Sequence, residues 1–226
     1  MHEGITDAEI VGDRYVLHRR DRGSRGGGIL IGVKPHLASL VEWKDDIHEC
    51  MCVKVITGKS VVRVIVAYRP PHTGVELMEE INRRISDKLH GSLVIGGDFN
   101  MPEVVWDMGG CRSAAQLAVN DLLGTNDLTQ VVKEGTRIST VSNKHNILDV
   151  ILLKSNMKYN NCDVVDGIGD HRAVLLNLHC NNRRKDNVSP RLVRQYKKAN
   201  RKGIEKFLRD EFPKWASSNT EDVDYI

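Results

Sequence analysis

The stretch Leu93-Val94-Ile95-Gly96-Gly97-Asp98-Phe99-Asn100-Met101-Pro102 passes from purely apolar to polar with no helical period. An apolar run this short, bounded by glycine and proline, reads as a buried strand. Strand alternation then puts Asp98 and Asn100 on one face and turns Phe99 into the core. Gly96 and Gly97 allow a backbone or a ligand to come close. A chain organised around this run carries a carboxylate and an amide at the end of a central strand. An isolated G-D-x-N is equally an Asx turn, so the rest of the chain has to decide. Asp149 lies within the apolar run Ile147–Leu153, where a charge costs several kcal/mol unless it is partnered. Asp170-His171 opens a further apolar run, Arg172–Leu178. Three strands, each carrying an acid, make one constellation.

The remaining segments supply a scaffold. Ile47–Ile56 and Val61–Ala67 are β-rich and separated by Thr57-Gly58-Lys59-Ser60, a hairpin signal. The second run delivers Tyr68-Arg69-Pro70-Pro71, whose prolines end the strand and leave Tyr68 and Arg69 at its rim. Leu77, Met78, Ile81, Ile85 and Leu89 recur at helical spacing within Val75–His90 and predict a core-facing stripe. Ser113 predicts the cap of a helix running to Leu123 and stopped by Gly124. Arg19-Arg20-Asp21-Arg22-Gly23-Ser24-Arg25 leads through Gly26-Gly27-Gly28 into Ile29–Val33; this loop precedes a strand and lacks Lys-Ser/Thr, so it is not a nucleotide-binding P-loop. It reads as a turn whose arginines can reach phosphate. Met1–Asp13 has no informative pattern, and Glu3 and Glu9 lie in a loop-like stretch. Several strands are joined by turns too short for parallel crossovers, which implies mixed sheets with helices outside.

With 226 residues, 40% of them hydrophobic, the chain suits one domain and a tail. No apolar run approaches the roughly 20 residues of a membrane span, and the N-terminus lacks the layout of a signal peptide. Five cysteines, odd in number and without paired zinc spacing, read as reduced thiols of the nucleus or cytoplasm. Arg183–Lys214 holds 12 Lys+Arg against 4 Asp+Glu, a net of +8, while the rest after it carries −3 and residues 1–182 carry −2. The domain is expected to span 1–180, and 181–226 to be a basic arm with a short helix over Gly203–Phe212, suited to nucleic-acid phosphate.

Magnesium takes oxygen ligands and completes its shell with water and substrate phosphate, so converging aspartates without cysteine or paired histidines suit it. A histidine adds a group that titrates near neutral pH and can hydrogen-bond a phosphate oxygen. Asn100 can orient water or phosphate without adding charge. These are parts for metal-assisted phosphodiester hydrolysis.

In this order, the R-R-D-R cluster with G-G-G-I-L-I, then Y-R-P-P, G-D-F-N-M-P-x-x-W, T-Q-V-V with G-T-R, L-D-V and G-D-H resemble the endonuclease/exonuclease/phosphatase superfamily. The resemblance is to the apurinic-endonuclease-like domain of non-LTR retrotransposon polyproteins and covers roughly residues 3–180. It implies an α/β fold: a four-layer sandwich of two mixed β-sheets flanked by helices, DNase I-like. It implies an Mg2+ (or Mn2+)-dependent endonuclease that nicks DNA, with a reverse transcriptase expected downstream in the intact polyprotein and no membrane partner. Under it, Asp98 aligns the attacking water with support from Asn100, and His171 meets the scissile phosphate with Asp149 behind it. Tyr68 contacts the phosphate, Asp170 sits beside the metal, and Arg69 and Arg137 bind substrate. In the family, an Asn on a first strand and a metal-binding Glu on a second precede the segment that Met1–Ile10 resembles, so this chain is expected to lack its first strand-helix-strand. A catalytically dead nucleic-acid-binding remnant is the alternative, and a phosphatase of the same superfamily a lesser one.

Overall fold

A computed structural model describes residues 6–23, 27–58, 60–86, 91–106, 113–138, 145–167, 169–179 and 201–210. The chain divides into two compact units, Met1–Arg183 and Arg184–Ile226. In the first unit the strands are β1 (Val16–Arg20), β2 (Ile29–Val33), β3 (Ala38–Lys44), β4 (Glu49–Thr57), β5 (Ser60–Tyr68), β6 (Ser92–Asp98), β7 (Leu128–Gln130), β8 (Arg137–Ile138), β9 (His145–Asn146), β10 (Asp149–Lys154), β11 (Tyr159–Val165) and β12 (Ala173–Leu178). Its helices are α1 (Asp7–Val11), α2 (Glu76–Ser86) and α3 (Ala114–Thr125).

The central sheet has six strands in the order β3-β4-β5-β6-β10-β7. β4 and β5 form the expected antiparallel hairpin. β6 returns parallel to β5 after crossing through α2, and β10 runs antiparallel to β6. The sheet is therefore mixed. One face is closed by α2 and α3: Leu77, Met78, Ile81 and Ile85 of the predicted stripe pack with Ile65, Ile95, Leu122 and Leu152, all buried. Leu89 lies outside the described residues. Phe99 turns into this core and meets Trp106 edge to face, ring centroids 6.0 Å apart.

The other face receives the β1–β2 ladder, which lies over β3, β4 and β5. Met51 and Val53 are fully buried, as are the alternating Cys50 and Cys52, so β4 is covered on both faces. Burial pushes both thiols up to about 12, and the described cysteines, Cys50, Cys52 and Cys162, are free. β11 and β12 form a second antiparallel ladder. Among the described residues the β1–β2 and β11–β12 ladders are not joined, so the material expected as a second sheet occurs as separate pairs.

Two local expectations are corrected. The loop-like start contains α1, because Glu9 accepts hydrogen bonds from the Thr6 backbone N–H (2.7 Å) and hydroxyl (2.8 Å), and capping of this kind leaves no apolar period to read. Those contacts hold Glu9 below the usual carboxylate range. Ser113 does cap α3, accepting from the Gln116 N–H at 3.1 Å, but the helix runs through Gly124 and ends at Thr125 with Asn126 as its cap. Glycine tolerates a helix interior at a cost of about 1 kcal/mol, and here buried Leu122 and Leu123 outweigh it. In the second unit, α4 (Arg201–Asp210) exposes Phe207 and Leu208; Phe212 of the expected helix lies outside the described residues. No described helix is long and apolar enough to cross a membrane.

Candidate active site

The sheet's registers bring four side chains into line at one end. Glu49 pairs with Tyr68, Tyr68 with Asp98, and Asp98 with Asp149, so β4, β5, β6 and β10 each contribute one residue to a row. Directly paired residues project from the same face. The row is possible because β5 and β6 approach closely: a Cβ on Gly97 would lie 1.8 Å from the Ala67 carbonyl oxygen, and its φ of 146° disfavours any side chain.

Asp98 and Asn100 come together differently from the strand-alternation expectation. β6 ends at Asp98, and Asn100 turns back with φ of 46°, a left-handed conformation that asparagine tolerates. Its backbone N–H donates to Asp98 Oδ1 and its Nδ2 to Asp98 Oδ2, both at 3.0 Å, while Nδ2 also donates to the Arg69 carbonyl at 3.1 Å. The Asx turn and the site are thus one structure. Strain held at such a position is common where a side chain must be aimed. Burial raises the Asp98 carboxyl above its ordinary range, and the facing Asp149 carboxylate adds to the rise.

His171 reaches the row from the turn before β12, and its Nδ1 lies 2.8 Å from Asp149 Oδ2. Oxygen and nitrogen atoms of Asp98, Asp149 and His171 all fall within 4.8 Å of one another. Thr136 fastens this assembly and is completely buried. Its hydroxyl accepts from the N–H groups of Leu148 (3.0 Å) and Asp149 (2.9 Å), and its carbonyl accepts from Arg172 N–H (2.7 Å). One residue therefore ties the start of β10 to the chain carrying His171. Sequence reasoning quoted Thr136 only as part of G-T-R; a threonine ahead of the apolar run was its sole signal.

Two candidate residues are placed otherwise than expected. Arg69 is buried, at 5% exposure, and its guanidinium donates to the carbonyls of Thr73, Gly74 (2.9 Å) and Asn100 (2.9 Å). It holds the loops beneath the site, its donors taken up by backbone carbonyls. Asp170 lies outside the metal-sized cluster, its carboxylate paired at 2.7 Å with Arg137. A hydrogen bond from its own backbone and the Arg137 guanidinium hold Asp170 below the usual range. Arg137 stays at the exposed rim, next to His171 through a β-bridge. Tyr68 ends β5 beside Asp98 as expected, with the Arg22 guanidinium 5.8 Å from its ring centre. Glu49 was not anticipated as part of the row, although an acid inside a β-rich run, here Ile47–Ile56, is the kind of signal that singled out Asp149.

The model of the family described as endonuclease-reverse transcriptase matches residues 62–175, half of the sequence. The chain belongs to the endonuclease-reverse transcriptase family. The matched segment of this family domain begins in β5 and ends in β12, so it contains Tyr68, Asp98, Asn100, Asp149, Asp170 and His171, whereas Arg22 and Glu49 precede it. Among solved structures, the endonuclease domain of TRAS1, a telomere-specific non-LTR retrotransposon, is similar with a TM-score of 0.61 at 17% identity, over 76% of this chain and 83% of that one. A humanized TDP2 of D. rerio is similar with a TM-score of 0.54 at 12% identity, over 76% and 79%. An endonuclease/exonuclease/phosphatase family protein from Leptotrichia buccalis C-1013-b gives 0.52 at 13% identity, over 74% and 71%. At these identities the likeness establishes the fold, the DNase I-like architecture of the endonuclease/exonuclease/phosphatase superfamily. No curated protein matches the sequence.

Proposed function

We propose that this domain hydrolyses phosphodiester bonds of DNA with a divalent cation, nicking the strand as an endonuclease. The observation that carries the reading is the convergence of Asp98, Asp149 and His171 within 4.8 Å at the end of a rigid sheet. Two carboxylates set opposite each other, one with its acidity weakened by burial and then by the other, form a concentration of negative charge that suits an oxygen-preferring cation. Mg2+ or Mn2+ held by Asp98 and Asp149 would neutralise charge on the phosphate.

The chain's own groups account for the remaining chemistry. Asp98, fixed by two hydrogen bonds from Asn100, is aimed to align a water molecule for in-line attack. Asp149 fixes the His171 ring through Nδ1 and compensates its charge when protonated, which leaves Nε2 to hydrogen-bond a phosphate oxygen. Tyr68 meets the same phosphate from the neighbouring strand. Arg137 would exchange Asp170 for a substrate phosphate; an exposed ion pair is worth about 0–1 kcal/mol, so the exchange is cheap. A plasmid-nicking assay in Mg2+ tests the reading. Conversion of supercoiled to open-circular DNA, lost on chelation and in Asp98→Ala, is the expected result; no nicking in Mg2+ or Mn2+, or nicking indifferent to Asp98→Ala, overturns it.

A further inference from the structure

The proposed chemistry leaves one member of the row and its partner unused. Glu49 opens β4 directly opposite Tyr68 and is buried, at 6% exposure. An ionised carboxylate in such a position is costly unless it is partnered. One oxygen, Oε2, accepts the backbone N–H of Gly28; the other, Oε1, forms an ion pair with Arg22 without an aligned hydrogen bond. The guanidinium so held stands over the Tyr68 ring. Gly27 makes room for it: a Cβ there would lie 2.9 Å from Arg22 Cζ, and the residue's φ is 78°. Gly27 and Gly28 therefore provide a seat for Arg22 and its partner Glu49.

The seat leaves the Arg22 side chain 33% exposed. Beside it opens a cavity of about 150 Å3 lined in part by Arg22, His48, Glu49, Tyr68 and Arg69. Arg69 is buried and taken up by carbonyls, so Arg22 is the arginine of this group with an edge turned to solvent. A guanidinium has five donors, and one carboxylate does not exhaust them.

We infer that Arg22 binds a non-scissile phosphate of the DNA strand, on the Tyr68 side of the site, and that Glu49 is the positioning residue that seats it. The inference rests on the proposed function and adds a residue outside the family-matched segment. Strands lie roughly 4.8 Å apart, so Asp98 is only about 10 Å from Glu49 across the row, within reach of an arginine. An untethered Arg22 would fall onto Asp98 and neutralise it. Glu49 prevents this and turns the planar fork outward, where it matches a phosphate in a bidentate manner. With Arg137 at the His171 end, the row is bracketed by two guanidinium groups.

The test measures binding without cleavage. The full chain, in EDTA, is titrated against fluorescein-labelled DNA duplexes in which one phosphate at a time is a neutral methylphosphonate. Wild type should lose about tenfold in affinity when one particular phosphate beside the scissile position is neutralised. Arg22→Gln should bind unmodified duplex about tenfold more weakly, show no further loss at that phosphate, and lower the salt slope by about 1. Arg22→Lys should recover part of the affinity without sharp dependence on position. Glu49→Ala removes a negative charge, so a merely structural or bulk electrostatic role predicts unchanged or tighter binding with the wild-type profile; the inference predicts loss of the phosphate-specific effect. Thermal melts accompany each variant, and Glu49→Gln replaces Glu49→Ala if the latter fails to fold. An unchanged profile in Arg22→Gln overturns the inference alone. Absence of DNA binding by wild type overturns the proposed function, and this inference with it.

Discussion

On the proposed function, replacing Asp149 by asparagine should separate catalysis from folding. Asp149 Oδ2 and His171 Nδ1 are 2.8 Å apart, with both side chains about a quarter exposed. A hydrogen bond to a charged group contributes about 1.5–3 kcal/mol, and partial exposure argues for the lower part of that range. At roughly 1.4 kcal/mol per decade, loss of this hydrogen bond alone should slow nicking by about 10- to 30-fold. The fold should not suffer. The backbone N–H of residue 149 is satisfied by Thr136 Oγ1, not by its own side chain, and the register with β6 is set by the main chain. Removing Asp149's charge also relieves a like-charge pair set directly across two strands. Asp98 is raised in the folded domain, so its contribution to stability is present below the ordinary carboxylate range and is lost as pH rises through the raised value. Asp149→Asn lowers that value, so its melting temperature at neutral pH should equal or exceed wild type, and the difference should vanish in acid. Single-turnover nicking and calorimetric melts from acid to neutral pH check both halves. Unfolding of the variant, or wild-type nicking rates, would refute the reasoning.

Thr136→Val should lose activity and stability together, since the one hydroxyl that accepts two N–H groups vanishes at a fully buried position; at about 1–3 kcal/mol for each N–H left unpaired, Tm should fall by roughly 4–24 °C, with recovery in Thr136→Ser. Arg69→Gln should lower Tm while leaving the salt dependence of DNA binding unchanged, because its guanidinium is spent on carbonyls; a reduced salt slope would return it to the substrate surface. Asp45 is buried, which works against ionisation, yet the His48 N–H, Arg84 and the Ile47 N–H pull it to about 2 from 3.8. Its contribution of about 2 kcal/mol is present above pH 4 and lost as pH falls toward 2, so Asp45→Asn should flatten acid denaturation across that window.

What could be read in advance was whatever a single segment specifies. The β4–β5 hairpin, the α2 stripe and the polar ends of β6 and β10 each follow from local pattern, and the ordered motifs named the superfamily. What escaped was set by pairing between distant segments. Arg69 and Tyr68 share a strand rim, and only the packing of the Gly74 and Asn100 carbonyls sends the guanidinium inward. Asp170 and His171 are neighbours, yet one turns to Arg137 and the other to Asp149. Glu49 acquires meaning only from its register with Tyr68, and Thr136 from where residues 148 and 172 end up. Asn100 joins Asp98 through a positive φ that no alternation rule foresees.

A row assembled from β4, β5, β6 and β10 has a timetable as well as a geometry. Asp98 meets its cross-strand partner only when residue 149 has been made, and the imidazole arrives 22 residues after that. Contacts between such distant positions form late, because the intervening loops must close before any energy is returned. On the ribosome, with synthesis running from the N-terminus, no partial product shorter than about residue 171 contains both halves of the site. On the proposed function, a nascent chain would be kept from cutting nucleic acid until nearly the whole family domain had emerged.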